Sequence, residues 1–314
     1  MFSNSEYVYE VYKERSFSRA AQNLYISQPA LSVTIKRIEN RVGAPIFDRS
    51  TSPIGLTDVG QKYIEVVKQM MDLQNAFTNY MNDLHDLKTG VVNVGGSNLF
   101  TSCILPQIIA EFKRRYPAVE INVVEANTPL LDQQLMDGSL DVIMDNYVFD
   151  STTHASVLYR IETLLLAVPA AFPVNQKLSE YQLSRQSVID GSFKEESVRP
   201  VPFEFFDKLP FIFLKAGNDT RDRALRIFSS HNMKPNIILN LDQQMTAYNI
   251  TCQGMGISFV TDTLISSTHP DPDVVIYKLD PEYSTRDLCF FHKKAKYVTR
   301  ATEEFLKIAC QTAL

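Results

Sequence analysis

The sequence predicts an α/β protein in three parts: a small helical head, one long helix, and a two-lobed α/β body. Three observations predict it. Between Phe17 and Gly60 two short helical patterns are joined by a tight turn and followed by a proline-led loop. From Tyr63 to Leu87 apolar residues recur at spacings of three and four, and from Gly90 onward strand and helix patterns alternate. The expected boundaries are 1–58 for the head, 59–89 for the long helix and 90–314 for the body. Within the body, one lobe takes 90–164 and 267–314 and the other 165–266.

In the head, Ser18 can cap a helix whose inner face carries Ala20, Ala21 and Leu24, small enough for a second helix to cross closely. Ser27 can cap that second helix, and Pro29 near its start lacks an amide hydrogen that the first turn leaves unpaired anyway. Leu31, Ile35, Ile38 and Val42 recur at helical spacing and turn inward. The outward face is then Pro29, Val33, Lys36, Arg37 and Asn40, with Gln28 and Ser32 on its flank, and Gly43 ends the helix.

That face suits the major groove of double-stranded DNA. Gln28 can pair with an adenine edge, Ser32 can donate or accept, and Lys36 or Arg37 can meet phosphate or guanine. Val33 gains little in water but can pack on a thymine methyl. A helix pair of this shape also serves as a plain packing unit, with the same face merely solvated.

The order of the motifs separates these readings. Ser-Phe-Ser-x-Ala-Ala (16–21), Ser-Gln-Pro-Ala-Leu-Ser (27–32), Ile-x-x-Ile-Glu (35–39), Gly-x-Pro-Ile-Phe-x-Arg (43–49) and Leu-Thr-x-x-Gly (56–60) follow one another. Over residues 2–60 this resembles the winged helix-turn-helix of the LysR-type transcriptional regulators, and the rest of the chain fits that family's layout. The resemblance implies that Gln28, Pro29 and Ser32 touch bases, that Arg19 and Arg49 hold the DNA backbone, and that two dimers join through their bodies into a tetramer. The candidate DNA-binding set is therefore Arg19, Ser27, Gln28, Pro29, Ser32, Val33, Lys36, Arg37 and Arg49. The chain departs from the family pattern twice: Val33 stands where a polar or basic residue is common, and the wing tip Ser52-Pro53-Ile54-Gly55 lacks the usual arginines.

Composition agrees. At 314 residues, 45% apolar and 21% charged, the chain reads as a soluble globular protein with two or three cores. A net charge of −5 argues against a histone-like coat on DNA, although steering depends on where charges lie. Over 1–58, seven basic residues face six acidic ones, so one head binds weakly and two are needed. No basic start leads into an apolar run and no long uncharged stretch could span a bilayer, which points to a cytoplasmic protein with no membrane partner. Cys103, Cys252, Cys289 and Cys310 show no metal or redox spacing and read as buried thiols, a redox switch being the alternative.

Thr57 can cap the long helix, and Tyr63, Val66, Met70, Leu73, Phe77, Tyr80, Leu84 and Leu87 trace four heptads. Running to about Lys88, it would be roughly 45 Å long at 1.5 Å per residue, too long and one-sided to hide in a compact head. It pairs with a second chain, making a homodimer, or else lies along its own body.

Beyond Gly90, strands are expected at 91–94, 120–125 and 141–145 with helices at 104–116 and 130–137, the pattern of a parallel sheet covered on both faces. It resumes at 162–168, 211–214, 221–231, 237–241, 243–253 and 256–260. The hinges fall near 165 and 265, and 274–278, 288–292 and a helix near 297–311 return to the first lobe. The serine- and proline-rich stretch 172–210 is the least readable.

A two-lobed α/β body of this kind, similar to periplasmic binding proteins, holds a ligand in the crevice at the carboxyl ends of its strands. Ser97 and Asn98 follow the first strand, Asn127-Thr128 the next, and Asn218, Thr220 and Arg221 a strand of the other lobe. The family resemblance implies that Ser97, Asn98 and Thr128 bind a small-molecule effector, polar or carboxylate. Each could instead be a helix cap. Catalytic residues, cofactor and metal are all expected to be absent: Gly-Gly-Ser-Asn (95–98) lacks the spacing of a phosphate loop, and the five histidines fall in separate segments. The expected function is thus effector-controlled, sequence-specific transcription regulation. The alternative is a small-molecule-binding or enzymatic module whose head docks a protein.

Overall fold

The computed structural model describes residues 2–51, 53–83, 90–269 and 271–312. The chain forms two units, Met1–Met81 and Asn82–Leu314. The first opens with α1 (Ser5–Glu14), α2 (Phe17–Asn23) and α3 (Gln28–Val42), followed by the antiparallel strands β1 (Phe47–Asp48) and β2 (Gly55–Leu56) and by α4 (Asp58–Asp83). Val8, Val11, Ala20, Leu31, Ile35, Ile46 and Val67 are fully buried at its centre, each large aliphatic side chain contributing about 1.5–3 kcal/mol. Ser27 caps α3 as expected, its Oγ accepting from the Ala30 amide at 3.4 Å, and Gly43 closes it at φ +86°. The cap of α2 is Ser16 rather than Ser18: Ser16 Oγ accepts from the Arg19 amide, because the helix starts at Phe17, two residues earlier than a Ser18 cap requires. Thr57 Oγ1 accepts from the Gly60 amide at 3.0 Å at the start of α4. A Cβ at Gly60 would lie 2.0 Å from the Ile46 carbonyl oxygen, so only glycine lets α4 pass the loop before β1.

Tyr63 does not join the exposed seam. It is 5% exposed and stacks on Phe2 with ring centroids 5.1 Å apart, so the first heptad position serves the head's own core. Val66, Met70, Leu73 and Phe77 are exposed along α4. The side chain of Tyr80, together with Leu84, Leu87 and the end of the helix towards Lys88, lies outside the described residues, as does Ser52 at the wing tip.

The body begins with β3 (Gly90–Gly96), α5 (Asn98–Cys103), α6 (Leu105–Arg115), β4 (Val119–Glu125), α7 (Thr128–Met136) and β5 (Val142–Asp145). A long β6 (His154–Pro169) leads to α8 (Val174–Lys177), β7 (Gln182–Leu183) and α9 (Arg185–Ile189). Then come β8 (Pro210–Leu214), α10 (Asp219–Ser230), β9 (Asn236–Leu241), α11 (Gln244–Cys252), β10 (Ile257–Thr261) and α12 (Asp262–Ser267). The order closes with β11 (Val274–Lys278), α13 (Pro281–Ser284), β12 (Thr285–Lys293) and α14 (Arg300–Thr312).

The strands run β4-β3-β5-β12-β6-β10-β8-β9, with β11 and β7 beside the far end of β6. β3, β4 and β5 are mutually parallel, as are β8, β9 and β10, but β12 and β6 run antiparallel through the middle, so the arrangement is mixed and not wholly parallel. β6 belongs to both lobes. Residues His154–Thr163 pair with β12, and Leu164–Pro169 pair with β10 on one edge and β11 on the other. Val274–Lys278 therefore lies in the second lobe, not the first, and the chain returns between Lys278 and Thr285 instead of near 265. Leu164–Val168 are completely buried, and a buried central strand needs ladder partners on both edges; periodicity identifies a strand without naming its neighbour. Within 172–210, Phe193, Phe203 and Phe206 are buried in short turns, the last two in the phenylalanine-rich second core with Phe211, Phe213, Phe228 and Phe259.

Candidate DNA face and effector cleft

The turn between α2 and α3 passes through Tyr25 at φ +53° and sets α3 across Ala20 and Ala21, both buried. The opposite face of α3 is open: Gln28, Pro29, Lys36, Arg37 and Asn40 are exposed, Ser32 is half-buried, and Val33 is 59% exposed. Gln28 Nε2 donates to Ser32 Oγ at 3.1 Å, so the two side chains share one edge of the helix. The two flanking arginines are already engaged. Arg19 Nη2 donates to the Glu14 carbonyl at 2.7 Å and its Nε lies 3.6 Å from the Glu14 carboxylate. Arg49 Nη2 lies 3.2 Å from Glu39 Oε2, with its guanidinium 5.3 Å from the Phe17 ring centroid. Glu39 is the residue sequence reasoning missed here. Its Oε1 accepts from the amides of Ile46 and Phe47 at 2.9 and 3.3 Å, so one carboxylate fixes both the loop before β1 and the arginine beside it.

In the body, an open cavity lies between the two lobes and is lined by Ser97, Thr128, Asn218 and Thr220 among the expected residues. Each stands where a strand hands over to a helix: Ser97 ahead of α5, Thr128 at the start of α7, Asn218 and Thr220 at the start of α10. Asn218 is a genuine cap, its Oδ1 accepting from the Thr220 amide at 2.9 Å. Two expected residues are not brought there. Asn98 Nδ2 donates to Glu125 Oε2 at 3.1 Å, and Arg221 Nη1 is held by the Leu214 carbonyl and Asn240 Oδ1, both at 2.7 Å, beside the Phe213 ring.

The cavity contains charges that strand-and-turn reading missed. Arg286 on β12 lies 2.7 Å from Glu162 of β6 and 2.8 Å from Asp219 of α10, all at least partly buried. Burial would lower the Arg286 pKa, but Glu162 and Asp219 outweigh it and hold the guanidinium charged. Asp145, at the carboxyl end of β5, is 3% exposed and accepts from Thr128 Oγ1 at 2.8 Å and from the amides of Asn146 and Tyr147 at 2.7 and 2.9 Å. Burial raises its pKa above the usual carboxylate range against those hydrogen bonds. The available signal was a lone charge within or ending an apolar run, as in Ile161-Glu162-Thr163-Leu164 and Val142-Ile143-Met144-Asp145.

Three of the thiols are held in the unreactive protonated form: burial pushes Cys252 up to about 12, Cys289 to about 11 and Cys103 upward. Among the described residues no group of side chains is arranged to hold a metal ion, and no helix is long and apolar enough to cross a membrane.

Comparison with known proteins covers both units. The model of the LysR substrate binding domain matches residues 85–313, and that of the bacterial regulatory helix-turn-helix protein, lysR family, matches residues 2–61. The HTH-type transcriptional regulator YcgK of Bacillus subtilis (strain 168) is 26% identical over 311 residues, 97% of this chain and 92% of its own. Two solved structures share the fold. A full-length OxyR from Pseudomonas aeruginosa has a TM-score of 0.68 at 21% identity, covering 97% of this chain and 95% of its own. Full-length CbnR complexed with its target DNA has a TM-score of 0.61 at 17% identity, covering 98% of each chain.

Proposed function

The chain belongs to the LysR family of transcriptional regulators, with a DNA-binding head and an effector-binding body, and from that premise we propose how it works. Gln28, Ser32 and Val33 on α3 read base edges in the major groove, Lys36 and Arg37 meet phosphate or guanine, and Arg19 and Arg49 contact the backbone after partial release from Glu14 and Glu39. Ser27 and Pro29 set the start of the reading helix. Two copies pair through the exposed stripe Val66, Met70, Leu73 and Phe77 of α4, which supplies the second head that a nearly neutral single head needs. The protein acts in the cytoplasm, without catalysis, and dimers associate further into tetramers. A small polar effector enters the cavity between the lobes and biases how they close.

The observation that carries the effector part is the convergence of Ser97 and Thr128 from one lobe with Asn218 and Thr220 from the other on a single cavity. Two measurements test the reading. A gel shift on the protein's own upstream DNA must weaken as salt rises, whereas no shift at any salt points to protein docking by the head. A double variant, Ser97→Ala with Thr128→Ala, must abolish the response to effector while ligand-free DNA binding persists; an unchanged response removes the cavity as sensor.

A further inference from the structure

The charge of the inter-lobe cavity runs against an anionic ligand. Arg286 is the cation nearest its floor, and an arginine has five N–H donors. Nε and Nη2 both donate to Glu162 Oε2, at 2.9 and 2.7 Å. Nη1 donates to Asp219 Oδ2 at 2.8 Å and to Thr220 Oγ1 at 3.1 Å. Asn146, with its amide turned so that both partners are satisfied, offers its oxygen to Nη2 at 2.7 Å. All five donors are spent inside the protein, and Asp219 is shared with Arg223 at 2.8 Å, so no donor of Arg286 remains to hold a ligand carboxylate there. Lys215 on the rim is likewise taken, 2.7 Å from Asp242.

Asp145 is in the opposite situation. It lines the same cavity, is almost wholly buried, and its hydrogen bonds come from a hydroxyl and two amides, with no basic side chain bonded to it. The Arg286 charge nearby offsets burial only in part, and a buried carboxylate with no cation bonded to it is relieved by a proton or by an arriving cation. Gln244 adds an independent feature: 7% exposed and lining the cavity, it accepts from Thr261 Oγ1 through Oε1, which leaves its amide hydrogens directed to an acceptor brought by a ligand. The Ser97 hydroxyl, which makes no cap to its own helix, lines the same cavity from the lobe that carries Asp145.

We propose that the effector is a compact amino compound, an α-amino acid or amino alcohol, whose protonated amine pairs with Asp145 and whose carboxylate or hydroxyl accepts from Gln244 and Ser97. A single ammonium suits the site better than a divalent cation, because Asp145 has no second and third ligating side chain beside it among the described residues. This rests on the reading of the cavity as an effector site.

The test uses the full-length protein and its thermal unfolding midpoint, with amines set against amine-free counterparts of the same skeleton: L-alanine against lactate and propionate, L-serine against glycerate, ethanolamine against ethylene glycol. An amine-bearing member should raise the midpoint while its counterpart does not. Asp145→Asn should then weaken binding of that compound on the order of 10- to 100-fold, the range for losing one charge-assisted hydrogen bond. Stabilisation by the amine-free carboxylates alone overturns the amine assignment and leaves the cavity as the sensor. No shift with any compound of either set, or unchanged affinity in Asp145→Asn, also overturns it, while the gel shift on upstream DNA decides separately whether the regulator reading stands. If Asp145→Asn does not fold, the paired wild-type comparisons decide alone.

Discussion

Glu162 and Arg286 face each other directly across the β6 and β12 ladder, side chains 2.7 Å apart and both buried, at the end of the β12 pairing where β6 passes from one lobe to the other. The guanidinium continues to Asp219 and Thr220 at the start of α10, so one side chain bonds to both the shared strand and the second lobe. Thr263 of α12 donates to the remaining Glu162 oxygen from the same side.

Removing one member of this group exposes the desolvation cost of the others. Arg286→Ala is expected to destabilise the body by about 3–5 kcal/mol, because Glu162 is left buried without its cation while Asp219 keeps only Arg223. Glu162→Met combined with Arg286→Met should recover part of that loss, since fewer charges are stranded. Urea unfolding of both variants checks the order; a double variant less stable than Arg286→Ala contradicts it.

Asp145 makes a pH-dependent prediction. Burial raises its carboxyl above the ordinary 3.8, so between that value and its raised native value the folded state holds a proton that the unfolded chain has released. The wild-type contribution is complete below about 3.8 and is lost as pH rises through the native value. An asparagine side chain cannot titrate, so the stability of Asp145→Asn relative to wild type should climb with pH across that window in the absence of ligand. Parallel urea titrations from acid to neutral pH measure the difference, and a flat or falling difference contradicts the assignment.

Base reading is separable from DNA affinity. Gln28→Ala should cost on the order of 1–3 kcal/mol on the specific site and little on random DNA, because a base-edge contact discriminates whereas phosphate contacts do not. Val33→Arg should raise affinity for random DNA and relax preference at a thymine step. Titrations at fixed salt on both DNAs give the comparison, and equal losses for Gln28→Ala refute base contact.

The α4 stripe sets assembly. Met70 and Phe77 are 42% and 66% exposed, so replacing both by Asp leaves the head's core untouched, yet would bury unpaired charges in a two-chain seam. Sedimentation should then show assembly one level below wild type, a tetramer falling to body-linked dimers or a dimer to a monomer, and DNA affinity should collapse with it. A variant whose assembly is unchanged removes the stripe as the pairing surface.

Much of this was legible before any coordinates. Helical spacing identified Leu31, Ile35 and Ile38 as the inner face of α3 and left Val33 outside, since side-chain direction along a helix follows from position alone. The order of strand and helix placed Ser97, Thr128, Asn218 and Thr220 at strand ends, which is where an α/β sheet gathers its ligand groups. Tyr63 was misread because a heptad shows which residues share a stripe and not what covers each turn of it; the first turn of α4 meets the head's own core.

Partner choice was not legible. That Val274–Lys278 pairs with the end of β6, that Asn98 and Arg221 turn to neighbours outside the cavity, and that Arg286 meets Glu162 and Asp219 are relations between residues far apart in the chain. The sequence by itself determined the paired helices of the head, the α/β body and the faces of its helices, because those depend on local periodicity and turn chemistry, while the wing followed from the family resemblance. Only the tertiary structure decided the charge of the cavity, because the state of a buried ionisable group depends on which distant partners the fold brings within bonding distance.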